Sequence, residues 1–166
     1  MIGSSPVVSP HPSCDGRSDD GKFIAYPPNG DKPERYIAML RPLSPSSIRA
    51  PFARYSHGIE VAAGARLVFT SGQLGIAPDD QIPSSVEAQA ELCFKAIAQI
   101  LSAAHMNMAD IVRINAYVTD RVHMKGYMAV RDAMVGTPPP ASTLMIVGGF
   151  TRPEFLVEVE VVAAAL

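Results

Sequence analysis

Apolar and polar residues alternate with a period of two in several short segments, a pattern typical of β-strands. The first two segments, 56–61 and 66–71, are separated by Ala-Ala-Gly-Ala. The glycine there, Gly64, suits a tight turn, so the two segments predict a hairpin. Another strand is predicted over 111–119. One of its faces is expected to consist of Val112, Ile114, Ala116 and Val118.

Two other segments repeat their apolar residues every three or four positions, which predicts amphipathic helices. Ser84 stands three residues before Glu87, as in a capping box, so we expect the first helix to begin there. Its apolar face comprises Val86, Ala90, Cys93, Ile97, Ile100, Leu101 and Ala104. The second helix is predicted to end at Gly136 and the prolines that follow. Its buried side is expected to contain Met124, Tyr127, Met128, Arg131, Met134 and Val135.

Two more strands, within 142–147 and 155–163, close the chain. The resulting order of elements predicts an α+β fold, with two helices packed on one face of a mixed sheet of about six strands. We assign this fold to a domain over residues 51–166. Nine of the fifteen prolines fall in the first 51 residues, so residues 1–50 are expected to form a Pro/Ser-rich N-terminal arm, which would lie on this domain or across a neighbouring subunit.

The last strand has two different faces. One face is apolar from Phe155 to Val161 and can take the helices. The opposite face carries the carboxylates Glu158 and Glu160 together with apolar side chains. Because two helices cover only one side of a sheet, this second face is either solvated or the seam of an oligomer. Its apolar half favours the seam.

Composition narrows the possible functions. The chain has 166 residues, 48% of them hydrophobic, which is enough for a single core. Its net charge is −2 and it has no cluster of basic residues that could bind the phosphates of a nucleic acid. Two cysteines are too few for a disulfide framework, so we expect a reducing, cytoplasmic compartment. We also expect no signal peptide and no membrane span. The four histidines show no metal-ligand spacing, so no metal site is predicted.

Five segments, RYSHGIEV, LVFTSGQLG, DIVRINAYVTD, PASTL and LVEVEVVA, resemble the RidA/YjgF family in order and spacing, from about Pro51 to Leu166. The resemblance implies a chorismate mutase-like fold and a homotrimer with three clefts, each lined by two subunits. Members are known as deaminases that hydrolyse reactive 2-enamines or 2-imino acids to 2-oxo acids and ammonia, without metal or organic cofactor. Some members carry an older label of translation-inhibiting endoribonuclease.

When the family's site is carried over position by position, the resemblance implies that four of its residues are present in this chain: Tyr55, Ser71, Gly72 and Glu158. Glu158 is then the candidate general base that activates water. The serine hydroxyl and the glycine amide would hold a substrate atom, and Tyr55 would close the cleft. Without the resemblance, these residues are an exposed sheet carboxylate, an ordinary strand-end turn and a half-buried tyrosine.

Three family positions depart from the pattern. The arginine that grips the substrate carboxylate in active members falls on Ala141, an asparagine falls on Met128, and a cysteine falls on Thr143. An alanine cannot replace a bidentate guanidinium. Arg152, in a loop that is longer here, is a candidate to return a cation to the cleft. The alternative is that Arg152 points to solvent or pairs with Glu154.

Three functions remain open. The first is a cofactor-free, RidA-like hydrolase that acts on a small enamine, imine or related compound, which need not carry a carboxylate. The second is a trimeric protein that binds a small metabolite in its clefts without turnover. The third, an endoribonuclease, is disfavoured by the net charge. The residues do not identify the substrate or the pathway.

Overall fold

The computed structural model describes residues 39–166, so most of the predicted N-terminal arm lies outside the described residues. A one-turn 3-10 helix, Met108–Asp110, directly precedes the central strand that begins at Ile111. The other elements are, in chain order, β1 Leu40–Leu43, β2 Gly58–Val61, β3 Arg66–Phe69, β4 Gln73–Leu74, α1 Val86–Ala103, β5 Ile111–Val118, α2 His123–Met134, β6 Ala141–Ile146 and β7 Val157–Ala165.

The main sheet has the strand order β3-β7-β5-β6, with the short β4 also paired to β7. Strand β7 is antiparallel to β3, β4 and β5, whereas β6 is parallel to β5. A parallel neighbour needs a crossover connection, and α2 supplies it between β5 and β6. The sheet is therefore mixed, as expected, and its two central strands, β5 and β7, are separated in the chain by α2 and β6.

Both helices pack on one face of this sheet, which we call the inner face. Along β7 the residues Val157, Val159 and Val161 are buried there, while the residues between them point to the opposite, outer face. Helix α1 contributes Phe94 and Ile97, which are fully buried. Fully burying an aliphatic or aromatic side chain contributes about 1.5–3 kcal/mol. The predicted α+β layer of two helices on one sheet face is confirmed.

The hairpin predicted from 56–61 and 66–71 is wrong. Strand β2 pairs antiparallel with β1, with Leu40 opposite Val61, whereas β3 pairs with β7. Gly64 does turn the chain, with a φ of 87°, but the strands on its two sides enter different sheets. Strand β1 is hard to recognise in the sequence because it is four residues long and contains a proline, which interrupts the apolar pattern. A proline is tolerated in a strand at the edge of a sheet.

The small β1–β2 sheet covers one end of the outer face. Met39 and Leu40 form a second core cluster there with Val112 and Ala164. Val112 was expected on the same face as Ile114, but a register shift between Ile111 and Arg113 turns it to the second cluster. Such a bulge inserts one residue and reverses the alternation beyond it. The packed unit therefore includes Leu40–Leu43, within the segment assigned to the arm.

The start of α1 differs from the prediction by one residue. Ser85, not Ser84, is the N-cap, and its hydroxyl accepts a hydrogen bond from the Ala88 amide at 3.3 Å. Ser85 has the extended backbone that an N-cap requires, with φ −99° and ψ 144°. The capping box expected between Ser84 and Glu87 is therefore wrong, although the helix itself is confirmed.

Candidate functional site

The outer face carries a row of polar side chains where β5, β6 and β7 lie side by side. Strand register places Glu158 opposite Tyr117, and Glu160 opposite Asn115. On the other side of β5, Asn115 is opposite Thr143. Because residues paired across neighbouring strands share a face, these side chains form one polar surface on the side of the sheet away from the helices.

The two motifs that contain Ser71 and Glu158 meet at one end of this surface. Strand β4 pairs with β7 so that Leu74 is opposite Glu158. A Cβ atom on Gly72 would overlap Oε1 of Glu158, so the carboxylate lies directly against the glycine. Ser71 is exposed beside them. The site thus requires glycine at position 72 for a steric reason, since any larger residue would displace the carboxylate.

The Gln73 side chain holds the Ser71–Gly72 turn in place. Its Nε2 donates to the carbonyl oxygen of Ser71 at 3.1 Å and to that of Gly72 at 3.3 Å. Both carbonyl oxygens therefore have a partner within the turn. The group formed by Ser71, Gly72 and Glu158 combines a carboxylate, an exposed hydroxyl and a closely approachable backbone, and we call it the carboxylate group.

Tyr55 and Ala141 lie together at the start of β6. The Ser56 amide donates to the Pro140 carbonyl at 3.0 Å and its hydroxyl donates to the Pro139 carbonyl at 2.6 Å. These bonds dock the Tyr55–Ser56 segment beside Ala141, with which Ser56 forms a parallel bridge. Thr143 follows two residues later on the outer face. We call Tyr55, Ala141 and Thr143 the β6 group.

Aromatic rings surround Tyr55. Its ring makes edge-to-face contacts with Phe52 and with His57, each at a centroid distance of 5.8 Å. Phe52 is 80% exposed, so this aromatic edge is accessible to a ligand or to another subunit.

One chain does not bring the carboxylate group and the β6 group around a single small ligand. Ala141 is opposite Arg113, and Arg113 is opposite Val162. Val162 lies four residues beyond Glu158 on β7, which is about 13 Å along a strand. Two strand spacings of about 4.8 Å separate β6 from β7 in the other direction. Each group is therefore half of a site if both contact the same ligand.

Two predicted binding residues lie elsewhere. Met128 packs against the main core on the inner face. Arg152 is half exposed, its Nη2 lies 3.5 Å from Oε1 of Glu154, and its guanidinium lies 5.6 Å from the centre of the Phe155 ring. Within the chain, Arg152 thus pairs with Glu154, which was the alternative to a role in binding the ligand. That role would require a second subunit and stays a prediction.

A hydrogen-bonded network on the outer face was missed by the sequence reasoning. Asn115 Nδ2 donates to Glu160 Oε1 at 2.8 Å, and the Tyr117 hydroxyl donates to the same oxygen at 3.2 Å. Arg113 Nε donates to Asn115 Oδ1 at 2.9 Å, and its Nη2 donates to Thr143 Oγ1 at 3.3 Å. The sequence does signal this network, because residues 113, 115 and 117 are all polar. Their alternation predicts a polar strand face but does not identify the hydrogen-bond partners.

Desolvation, together with the Glu160 carboxylate, raises the pKa of Tyr117 above its ordinary value. The phenol therefore stays protonated at neutral pH and acts as a donor.

Cys93 lies on the buried side of α1. Burial, with a smaller contribution from the Glu158 carboxylate, raises the pKa of the Cys93 thiol to about 12. The thiol is therefore protonated at neutral pH and is not a nucleophile. Among residues 39–166, no three His, Cys, Asp or Glu side chains are close enough together to hold a metal ion. The described helices include none that is both long and apolar enough to cross a membrane.

Comparisons with known proteins agree with this architecture. The family model for Endoribonuclease L-PSP matches residues 46–165. TdcF from Escherichia coli (strain K12), named as a candidate reactive intermediate deaminase, is 35% identical over 75 residues. Those residues are 43% of this chain and 56% of TdcF.

Two solved structures share the fold. RidA from an Antarctic Psychrobacter bacterium has a TM-score of 0.57 at 29% identity and covers 70% of this chain and 92% of its own. YyfB from Yersinia pestis, a protein of unknown function in the Rid family, has a TM-score of 0.68 at 24% identity, over 76% of this chain and 99% of its own. Because the family match spans most of the sequence, the chain belongs to the Endoribonuclease L-PSP family, the RidA/YjgF family that its motifs resemble.

Proposed function

We propose that this protein is a RidA-like hydrolase that deaminates a small reactive imine or enamine without a cofactor. The observation that carries the proposal is the contact between the Glu158 carboxylate and Gly72, with the exposed Ser71 beside it. A carboxylate, a hydroxyl and a backbone amide at one point are the groups needed to activate water and to hold a polar substrate atom.

The reaction needs no group beyond these. Glu158 removes a proton from a water molecule as the water oxygen attacks the imine carbon, and it passes this proton to the imine nitrogen, giving a carbinolamine. Glu158 then takes the hydroxyl proton of the carbinolamine and delivers it to the amino nitrogen as the carbon–nitrogen bond breaks, which forms the carbonyl and releases ammonia. Ser71 and Gly72 position the substrate, and Tyr55 of another subunit closes the cleft.

The separation of the carboxylate group from the β6 group supports a homotrimer with clefts between subunits. Exposed apolar side chains on the sheet also support an assembly: Leu67 is 50% exposed, Phe69 is 69% exposed and Met145 is 47% exposed. Large apolar side chains at this exposure are typical of surfaces that another chain covers. Rid family proteins are homotrimers that bind small molecules. We propose a cytoplasmic location for the assembly.

Turnover is tested by generating imino acids in place with an amino-acid oxidase, with catalase present, and by following the release of ammonia and oxo acid. We expect the protein to accelerate release and Glu158→Gln to abolish the acceleration. Glu91→Gln is the matched control, because it makes the same chemical change to an exposed carboxylate on α1. It should retain full activity.

The main alternative is a trimeric protein that binds a small metabolite without turnover. It predicts ligand binding with no acceleration by the unaltered chain, which would contradict the hydrolase. The endoribonuclease alternative finds little support on strands β4 to β7, where Arg113 is the only basic side chain and Glu158 and Glu160 repel phosphate.

A further inference from the structure

Among the described residues, one cation lies on the outer face of strands β4 to β7, and its position distinguishes it from the other arginines. Arg113 is the only basic side chain on strands β4 to β7. It is the cross-strand neighbour of Ala141, and its guanidinium donates to Thr143. Neighbouring strands are about 4.8 Å apart, so an arginine on β5 can serve the space beside a small residue on β6.

The guanidinium is held in one orientation by neutral acceptors. Nε donates to Asn115 Oδ1 at 2.9 Å and Nη2 donates to Thr143 Oγ1 at 3.3 Å. A guanidinium has five N–H donors, so these two bonds leave three that can bind an anion. An arginine already held in place loses less side-chain entropy when it binds a ligand.

Arg113 also keeps its charge available. The ion pairs in the described part of the chain involve Arg41, Lys95, Arg131 and Arg152, and none of them involves Arg113. The carboxylate nearest to Arg113 through its hydrogen bonds is that of Glu160. Oε1 of Glu160 already accepts from Asn115 and Tyr117, and Asn115 stands between that carboxylate and the guanidinium. Arg113 is exposed, so an incoming anion can reach it.

We propose that Arg113 binds the carboxylate of the ligand, so that the cleft takes small 2-imino or 2-oxo carboxylates and not neutral compounds. This inference rests on the proposed function, whose substrate class it narrows. Ala141 then provides space beside the guanidinium. Arg152, which contacts Glu154 and Phe155, is then not needed as the anchor.

Calorimetric titration of the full chain with pyruvate and with its neutral isostere pyruvamide tests the proposal. We expect the unaltered protein to bind pyruvate at least tenfold more tightly than pyruvamide. Arg113→Gln, which keeps a polar side chain of similar reach, should weaken pyruvate binding by about ten- to a hundredfold and leave pyruvamide binding unchanged. Arg152→Ala is the matched control and should change neither affinity. Light scattering should give all three proteins the same mass.

The proposal is overturned if Arg113→Gln keeps the preference for pyruvate, if Arg152→Ala removes it, or if the unaltered protein shows no preference or binds neither compound. Imine hydrolysis, compared between the unaltered protein and Glu158→Gln, is measured independently of pyruvate binding, and this separates the inference from the proposed function. A protein that binds pyruvate through Arg113 but does not accelerate imine hydrolysis contradicts the hydrolase and leaves the role of Arg113 standing.

Discussion

Gly72 is the residue on which the geometry of the carboxylate group depends most directly. Because a Cβ there would overlap Glu158 Oε1, Gly72→Ala must push the carboxylate away, and we expect a loss of imine hydrolysis of at least tenfold. The fold should tolerate the change, since the displaced atoms are the end of a flexible side chain. Gly148→Ala is the control, because a Cβ at Gly148 meets no atom within 4 Å. Equal activity of the two variants would disprove the steric role.

Cys93 offers a second test at the residue scale. Its thiol has a pKa of about 12 because it is buried, so at pH 8 only about one molecule in ten thousand carries a thiolate. In a Cys14→Ser background, which leaves Cys93 as the single cysteine, we expect iodoacetamide to label the folded protein hardly at all at pH 8. It should label the urea-unfolded protein readily. Rapid labelling of the folded state would show that Cys93 is accessible.

The raised pKa of Cys93 also sets a direction for alkaline stability. The unfolded thiol loses its proton near pH 9.0, whereas the folded thiol retains it until about pH 12. The unfolded state therefore binds fewer protons between these values. The resulting contribution to the free energy of unfolding is fully present below about pH 9 and is lost as pH rises towards 12.

At the scale of elements, the start of α1 gives a paired prediction. Ser85→Ala removes the hydroxyl that accepts from the Ala88 amide and should lower the free energy of unfolding by about 1 kcal/mol. Ser84→Ala should change it by less than about 0.5 kcal/mol, because an exposed serine outside the cap contributes little. Urea denaturation of both variants measures the difference. A larger loss for Ser84→Ala would restore the capping box expected from the sequence.

Gln89 shows how one buried polar residue joins elements that are distant in the chain. Its Nε2 donates to the carbonyls of Pro83 and Glu154 at 2.7 and 2.8 Å, and its Oε1 accepts from the Leu156 amide at 2.8 Å. The side chain therefore ties α1 to the loop that contains Arg152 and leads into β7. Helical periodicity places Gln89 beside Ala90 on the apolar side, but the identity of its three partners depends on tertiary contacts.

At the scale of the whole molecule, assembly is the main prediction. We expect light scattering at micromolar concentration to give about three times the chain mass of 17.7 kDa. Phe69→Asp places a charge on the outer face, where the side chain is 69% exposed, and should reduce the mass to that of a single chain. Val122→Asp changes a side chain that is 76% exposed at the start of α2 and should leave the trimer intact. A monomeric unaltered protein would rule out shared clefts.

Local sequence determined the helices, the long strands and the two faces of β7. Periodicity within ten to twenty residues specifies which side chains can be buried together, and this information needs no distant partner. The motif residues of the candidate site were recognisable for a related reason, since Ser71, Gly72 and Glu158 occur in short segments with a distinctive order.

Only the tertiary structure decided how these pieces combine. Strand pairing joins segments that are far apart in the chain, so the partners of β2 and β3, the bulge beside Val112 and the contact of Gly72 with Glu158 could not be derived from local patterns. The same pairing places Arg113 next to Ala141 and separates Ala141 from Glu158. A side chain's neighbours across a sheet depend on register, and register is chosen by the packing of the whole domain.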